Sequence, residues 1–231
     1  MPKASPFSLS HDWSLGWTRI PSNYKPFKYY NINSMKEKKA LEGIASVGVI
    51  GEKQLSRLFS LGAKEIKNMV KTDKIVPHAL NRNHNNRIPI YSLGINGAKA
   101  INLDVYKENY WVEYKIDEVL KSLLFFQLYH YFPTLNVRPT PNPFVAAVKN
   151  NDNLIYVYVV KGDTNDLMRY LKWEKNSNHR LMLVTESISQ LKEIELYTKD
   201  LKMRVVIEDD LMNREKSDED IFYIYKDGEL V

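Results

Sequence analysis

The stretch LNRNHNNRIPIYSL, residues 80–93, decides how the first half of this chain is interpreted. Its first eight residues hold four asparagines, two arginines and one histidine, and apolar segments of strand-like composition lie on either side, KIVPHAL before and IPIYSL after. Asparagine tolerates the left-handed backbone conformations of tight turns. The pattern therefore predicts a β-hairpin whose tip is basic and rich in hydrogen-bonding groups.

Three helical segments precede this hairpin. Ser34 is a typical N-cap residue with Glu37 as its capping-box partner, and the helix that follows ends at Gly48. A second short helix is predicted in VIGEKQLSRLF and a third in AKEIKNMVKTDK, after the turn SLG. The order helix, helix, turn, helix, strand, tip, strand is that of a winged helix-turn-helix, here over residues 34–104. In that fold the third helix enters the major groove of DNA and the hairpin is the wing.

The candidate DNA-binding residues are the polar side chains on the outward faces of these elements. Lysine and arginine neutralise phosphates, asparagine can hydrogen-bond to a base edge, and histidine adds charge only when it is protonated. The predicted set is Lys53, Lys64, Lys67, Asn68 and Lys71 on the helices, and Arg82, His84, Asn86 and Arg87 on the wing. An alternative is a winged-helix protein-interaction module whose basic face only keeps the chain soluble.

Charge is distributed unevenly along the chain. Residues 1–100 hold 16 Lys and Arg against 6 Asp and Glu, a net charge of +10, whereas residues 101–231 hold 17 against 22, a net charge of −5. A basic half joined to an acidic half predicts two domains, of which the basic one is suited to a polyanion such as double-stranded DNA.

Other classes of protein find little support in the sequence. The chain has no cysteine, and its five histidines lack metal-ligand spacing, so we expect no metal site and no cofactor. The N-terminus lacks the apolar core of a signal peptide, and the longest apolar stretch is too short and too polar to span a bilayer. These features fit a cytoplasmic protein that does not enter a membrane.

Two segments flank the predicted winged helix. Residues 1–33 carry many aromatic residues without a clear period and are interpreted as an irregular N-terminal arm that packs on a domain or a partner. Residues 105–133 are predicted to form one long connecting helix with a wide apolar stripe, ending before Pro133. Such a stripe would pack between the domains, and a homodimer through this helix or the C-terminal domain is a further expectation.

Residues 134–231 alternate between strand and helix patterns. The buried strand candidates include NLIYVYVV, HRLMLVT and MRVVIED, and helices are predicted in TNDLMRYLKWEK and SISQLKEIELYTKD. This alternation predicts an α/β domain with a central sheet. Glu186, Glu193 and Glu195 are expected on or near a surface helix, in contact with solvent.

The layout resembles the replication-relaxation family of plasmid and mobile-element proteins, from about residue 35 to about residue 208. The matching segments are VGVIGEKQLSRLF, IPIYSLGINGAKAI and PTPNPFVAAV…LIYVYVVKG…HRLMLVTES. The resemblance implies an N-terminal winged helix and, in many members, a C-terminal domain similar to the restriction-endonuclease fold. It also implies a role as a DNA-binding accessory factor in plasmid replication or mobilisation, with a replication or relaxase protein as partner.

The same resemblance implies that the nuclease-like domain is degenerate. Nucleases of this fold hold Mg²⁺ with an Asp on one strand and a Glu/Asp-x-Lys on the next. Here Asn142 and Val159 would occupy the carboxylate positions, and Lys161 alone remains. The sequence therefore predicts a non-enzymatic DNA-binding protein that acts in replication, mobilisation or transcriptional regulation. An active nuclease or relaxase helper with an unusual site is the alternative.

Overall fold

The computed structural model describes residues 5–28, 30–83, 86–150, 153–173, 180–198, 203–213, 220–226 and 229–230 of the chain. It is a mixed α+β structure with two separate β-sheets. The chain divides into two compact units, which we call the amino-terminal unit (His11–Phe126) and the carboxy-terminal unit (Met1–Ser10 with Gln127–Val231). Of the predicted arm, residues 5–10 thus belong to the carboxy-terminal unit.

The amino-terminal unit combines helices with a four-stranded antiparallel sheet of order β1-β3-β4-β2. Its elements are β1 (Trp13–Gly16), α1 (Met35–Val47), β2 (Val49–Gly51), α2 (Glu52–Phe59), α3 (Ala63–Lys71), β3 (Ile75–Arg82), β4 (Asn86–Leu93), α4 (Ile95–Ala100) and α5 (Ile116–Tyr129), and the boundary between the units falls inside α5. The three predicted helices and the predicted hairpin are present. The segment that was expected to open the second helix is instead the short strand β2.

The start of α1 follows the prediction only in part. The Ser34 hydroxyl accepts the Glu37 backbone N–H at 3.1 Å, and the helix ends at Gly48, whose φ is +109°. The predicted capping-box role of the Glu37 carboxylate is wrong, because that carboxylate forms an ion pair with Lys74 and accepts the Asn33 side-chain amide at 2.9 Å. Lys74 is only 1% exposed, and a buried ammonium group requires a counter-charge.

The continuous helix predicted over residues 105–132 is wrong. Tyr110–Glu113 form a 3₁₀ turn, and α5 begins only at Ile116. The Trp111 side chain is fully buried, and its indole N–H donates to the carbonyl of Thr18 at 2.8 Å. Burial of a large ring with its polar group satisfied outweighs the helical periodicity of this segment.

Within the amino-terminal unit, the rest of the predicted arm packs on the sheet and its neighbouring turns. Residues 13–16 form β1, and Trp17 packs edge-on against the His78 ring, with ring centroids 4.9 Å apart. Farther along, the Tyr24 hydroxyl donates to the Asp73 carboxylate at 2.7 Å. Trp17 and Tyr24 of the arm therefore contact the unit to which they belong.

The carboxy-terminal unit is built on a seven-stranded sheet of order β11-β10-β9-β8-β7-β6-β5, in which β7, β8 and β9 are parallel and the other pairs are antiparallel. Its elements are β5 (Asn136–Arg138), β6 (Ala146–Asn150), β7 (Asn153–Val159), α6 (Asn165–Trp173), β8 (Arg180–Thr185), α7 (Glu195–Thr198), β9 (Met203–Ile207), α8 (Glu208–Met212), β10 (Tyr223–Lys226) and β11 (Glu229–Leu230). The helix predicted in SISQLKEIELYTKD is shorter than expected, since Ile188–Leu191 form a 3₁₀ turn before α7.

The parallel strands position one edge of this sheet. Val159 pairs with Val184, and Thr185 pairs with Ile207, so β7, β8 and β9 end nearly level with one another. An apolar cluster fixes this register from one face, with Tyr158, Leu183 and Val205 on the strands and residues of α6 and the following turns against them. The residues that follow the three strands consequently meet at the carboxyl edge of the sheet.

Candidate nucleic-acid interface

Helix α3 presents a polar face to solvent. Ile66 and Met69 are buried, which fixes the orientation of the helix by the usual i, i+3 spacing. The predicted contact residues on this helix are all exposed: Lys64, Lys67, Asn68 and Lys71. The carboxylate of Glu65, on the same helix, accepts the backbone N–H of Gly62 at 2.7 Å. The outward face of α3 thus carries three ammonium groups and one amide.

Helix α2 adds a second basic surface. Lys53 is exposed, as predicted for a DNA-contacting side chain, and Arg57 is exposed four residues later on the same face. The prediction omitted Arg57, although its i, i+4 spacing from Lys53 was visible in the sequence. The apolar residues Leu55 and Phe59 face the core.

The predicted wing is a regular hairpin. The β3–β4 ladder continues to the pair Arg82–Asn86, and Asn83 follows with the positive φ of +51° that a tight turn requires. His84, one of the predicted contact residues, lies outside the described residues together with Asn85. Asn86 and the other described polar side chains of the tip are at least partly exposed.

The two arginines of the wing lie on opposite faces of the hairpin. Arg82 pairs with Asn86, so Arg87 is one position out of step and its side chain points to the other face. Tyr91 shares the face of Arg87, and its hydroxyl donates to the Glu52 carboxylate of α2 at 3.3 Å. Arg87 therefore lies on the same face of the hairpin as Tyr91, and Arg82 lies on the opposite face.

His78 anchors the arm to the hairpin as a neutral side chain. Its Nδ1 accepts the Thr18 backbone N–H at 3.1 Å, and its Nε2 lies 2.8 Å from the Ser92 hydroxyl. Because Nδ1 is an acceptor, Nε2 carries the proton and donates to Ser92. Burial lowers the pKa of His78 to about 3, so this residue adds no charge to the surface at neutral pH.

The carboxy-terminal unit contains a separate charged cluster that was not predicted from the sequence. Lys161 follows β7, Glu186 follows β8 and Glu208 follows β9, and we call these three residues the Lys–Glu centre. The Lys161 ammonium lies 2.6 Å from Oε1 of Glu186 and 2.7 Å from Oε1 of Glu208. The second oxygen of Glu186 accepts a hydrogen bond from the Ser8 hydroxyl at 3.2 Å. The second oxygen of Glu208 accepts one from the Ser5 hydroxyl at 2.7 Å.

The Lys–Glu centre is largely buried, which corrects the expectation that Glu186 lies on a surface helix in contact with solvent. The Lys161 side chain is 1% exposed and that of Glu208 is fully buried, while Glu186 is only 29% exposed rather than solvated on a helix. Burial raises the pKa of Glu208, and the Lys161 charge opposes that rise. In the sequence, the feature that could have indicated this centre is the charged residue that follows each of the three apolar parallel strands.

The Lys–Glu centre does not fit a divalent cation. Three of the four carboxylate oxygens accept a hydrogen bond from Lys161 or a serine hydroxyl, and the fourth, Oε1 of Glu208, makes an ion-pair contact with Lys161 alone. The Lys161 ammonium thus already supplies the positive charge that a divalent cation would bring to these carboxylates. Over the described ranges, no group of three or more His, Asp or Glu residues is placed to hold a metal ion. Asn142, at one of the nuclease carboxylate positions, lies before β6, and Val159, at the other, is the buried last residue of β7.

The fold and the two sites define a mixed α+β protein with one solvent-facing basic surface and one buried ionic centre. No family model, no curated protein and no solved structure matches the chain. Within the part of the chain that the structure describes, none of the helices has the length and apolar character needed to cross a bilayer.

Proposed function

We propose that this chain is a non-enzymatic accessory protein of a plasmid or phage that binds double-stranded DNA. The amino-terminal unit acts as a winged helix, with α3 as the recognition helix and the β3–β4 hairpin as the wing. The protein acts in replication, mobilisation or transcriptional regulation, as the resemblance to the replication-relaxation family implies.

The observation that carries this proposal is the outward face of α3. Lys64, Lys67 and Lys71 recur at intervals of three and four residues and are all exposed, so they form one basic stripe along the helix. A stripe of this kind suits the phosphates that border a DNA groove. The order of the helices and the position of the hairpin support a winged-helix docking geometry.

The residues of the interface have different roles in this proposal. Lysines contact phosphates and set the position of the protein without reading sequence. Asn68 is the amide on the α3 stripe, and an asparagine can make a bidentate pair with the N6 and N7 atoms of adenine. Arg87 holds the backbone beside the groove, from the face of the hairpin that carries Tyr91.

The carboxy-terminal unit serves as a scaffold or a protein-binding surface in this proposal. Its sheet carries Lys161 at the position where the resemblance implies a nuclease lysine. The ion pairs of both Glu186 and Glu208 with the Lys161 ammonium argue against metal-dependent hydrolysis at this position. Incubation of supercoiled plasmid with Mg²⁺ or Mn²⁺ tests this point, and cleavage that disappears in Lys161→Ala would contradict it.

Fluorescence anisotropy tests the proposal directly. The wild-type protein is titrated with random duplex and with fragments of the element that encodes it, at salt concentrations from 50 to about 200 mM, the range over which phosphate contacts weaken strongly. The test variant replaces the three α3 lysines with alanine. A charge-matched control replaces three exposed lysines of the carboxy-terminal unit, Lys149, Lys172 and Lys192.

We expect the wild type and the control to bind duplex DNA with the same salt dependence. The α3 variant should bind at least tenfold more weakly, and the slope of log K against log salt should fall by about 0.9 for each phosphate that the variant no longer neutralises. Equal weakening in the α3 variant and the control would mean that only net charge matters. Absence of binding above the nonspecific background would support the protein-interaction alternative instead.

A further inference from the structure

Helix α3 carries one carboxylate beside its lysine stripe. Glu65 is exposed and lies in the first turn of the helix, one residue after Lys64 and three residues before Asn68. Residues three apart are neighbours on a helix surface, so Glu65 and Asn68 lie next to each other along one border of the stripe. A carboxylate at this place repels phosphates, and the partner that suits it is a hydrogen-bond donor.

A hydrogen bond at the start of the helix holds the Glu65 carboxylate in place. The N-cap residue is Gly62, and its backbone N–H donates to Oε2 of Glu65 at 2.7 Å. The carboxylate is therefore kept at the N-terminal end of α3. Over the described ranges of the chain, the other oxygen, Oε1, has no hydrogen-bond or ion-pair partner. Glu65 thus presents one acceptor to solvent from a side chain whose other oxygen is already fixed.

The end of α3 that carries this carboxylate is the end that reads bases in a helix-turn-helix. In that docking geometry the N-terminal residues of the recognition helix contact base edges in the major groove. A side chain that is already held by a hydrogen bond also loses less conformational freedom on binding than a free one. Glu65 is therefore placed to contact a base.

The hydrogen-bonding pattern of the major groove selects the base that a carboxylate can contact. An ionised carboxylate only accepts hydrogen bonds. Guanine and thymine present acceptors in this groove, adenine presents its N6 donor beside the N7 acceptor, and cytosine presents the N4 donor alone. Adenine would therefore place a second acceptor against the carboxylate, whereas cytosine would not.

We propose that Glu65 is a specificity-determining residue of the DNA interface, and that its Oε1 accepts a hydrogen bond from N4 of a cytosine in the major groove. This inference rests on the proposed function and adds sequence recognition to it. The α3 lysines then set the position of the helix through phosphates, while Asn68 and Glu65, side by side, read neighbouring bases.

Selection from a pool of randomised duplexes tests this inference, followed by anisotropy on duplexes that carry each of the four base pairs at every preferred position. The test variant is Glu65→Gln, which keeps the side-chain length and an acceptor for the Gly62 N–H but presents an amide, the group that pairs with N6 and N7 of adenine. Glu42→Gln is the matched control, because it removes the same charge from an exposed residue of α1. Circular dichroism and thermal unfolding check that each variant is folded.

We expect the wild type to prefer cytosine at one position by about 5- to 150-fold over the other bases, the range of a good base contact. In Glu65→Gln the preference at that position should change to adenine, and the other positions should keep theirs. Glu42→Gln should retain every preference of the wild type. Loss of one negative charge can raise affinity for all duplexes alike, so the measured quantity is the ratio between bases. Asn68→Ala should alter a different position.

Three results would overturn the inference while DNA binding through the α3 lysines, and with it the proposed function, still stands. The first is the same set of base preferences in the wild type and in folded Glu65→Gln, which would make Glu65 a helix cap only. The second is a wild-type preference for a base other than cytosine at the position that Glu65→Gln changes. The third is wild-type binding of equal strength to every duplex. If the wild type does not bind duplex DNA at all, the proposed function fails, and the inference fails with it.

Discussion

Replacing Lys161 with methionine should destabilise the carboxy-terminal unit by about 3–5 kcal/mol at pH 8, the cost of removing one partner from a buried ion pair. The Lys161 side chain is 1% exposed, and its ammonium group lies within 2.7 Å of both Glu186 and Glu208. Without it, Glu208 keeps a fully buried carboxylate beside a second negative charge. Methionine preserves most of the side-chain length, so loss of packing contributes little to the expected change.

The size of this effect should depend on pH. Burial already raises the pKa of Glu208 above 4.5, and loss of Lys161 should raise it further. The folded state then holds a proton that the unfolded state releases. This contribution to stability is therefore complete below the ordinary glutamate pKa and is lost as pH rises through the raised value. The variant should be closest to wild type near pH 5 and farthest from it near pH 8.

Amide hydrogen exchange of β8 is the assay, because it measures the stability of one unit in a chain that has two. Lys172→Met is the control: this lysine is exposed on α6 of the same unit, and its replacement should cost less than about 1 kcal/mol. Adding Glu208→Leu to Lys161→Met should recover a large part of the stability, since the unpaired charge is then gone. A cost below about 1 kcal/mol in Lys161→Met, or one that does not change between pH 5 and pH 8, would refute the reasoning.

Three other predictions concern the amino-terminal unit. His78 should show no titration between pH 5 and 8 in NMR spectra, and because its pKa is lowered, stability should fall as pH drops below about 6.5, by up to about 1.4 kcal/mol per pH unit. Gly97→Ala should cost about 3 kcal/mol in thermal unfolding, since the new Cβ would lie 2.2 Å from the Lys74 carbonyl oxygen, and a near-neutral result would contradict the packing of α4. Asn68→Ala should reduce discrimination between the best fragment and random duplex by about 1–3 kcal/mol without changing the salt slope, and a changed slope would assign Asn68 to a phosphate.

Local patterns were enough to place α1, α2, α3 and the β3–β4 hairpin of the amino-terminal unit. These features include the N-cap at Ser34, the end of α1 at Gly48 and the apolar spacing in α2 and α3. Each depends only on residues within one or two helical turns, so a short segment of sequence is enough to predict it. The β3–β4 hairpin is equally local, because an asparagine-rich turn brings adjacent strands together. The exposed lysine stripe of α3 followed directly from that periodicity.

Other features depended on residues that are far apart in the chain. The 3₁₀ turn at residues 110–113 interrupts a helical pattern because Trp111 bonds to Thr18, more than ninety positions earlier. Strand β1 has no turn that joins it to β3, so nothing near residues 13–16 shows which strand it pairs with. For the same reason, the sequence does not show that Trp13 lies opposite Arg82.

The sequence by itself placed α1, α2, α3 and the β3–β4 hairpin and showed which helix faces are basic, since those properties are set by side-chain period and capping over a few residues. Only the tertiary structure decided what the charged residues do. Lys161, Glu186 and Glu208 come from three separate strand ends, and they meet because parallel pairing aligns those ends at one edge of the sheet. Strand register depends on pairing between residues that are far apart in the chain. That pairing brings Lys161, Glu186 and Glu208 together in one buried ionic centre.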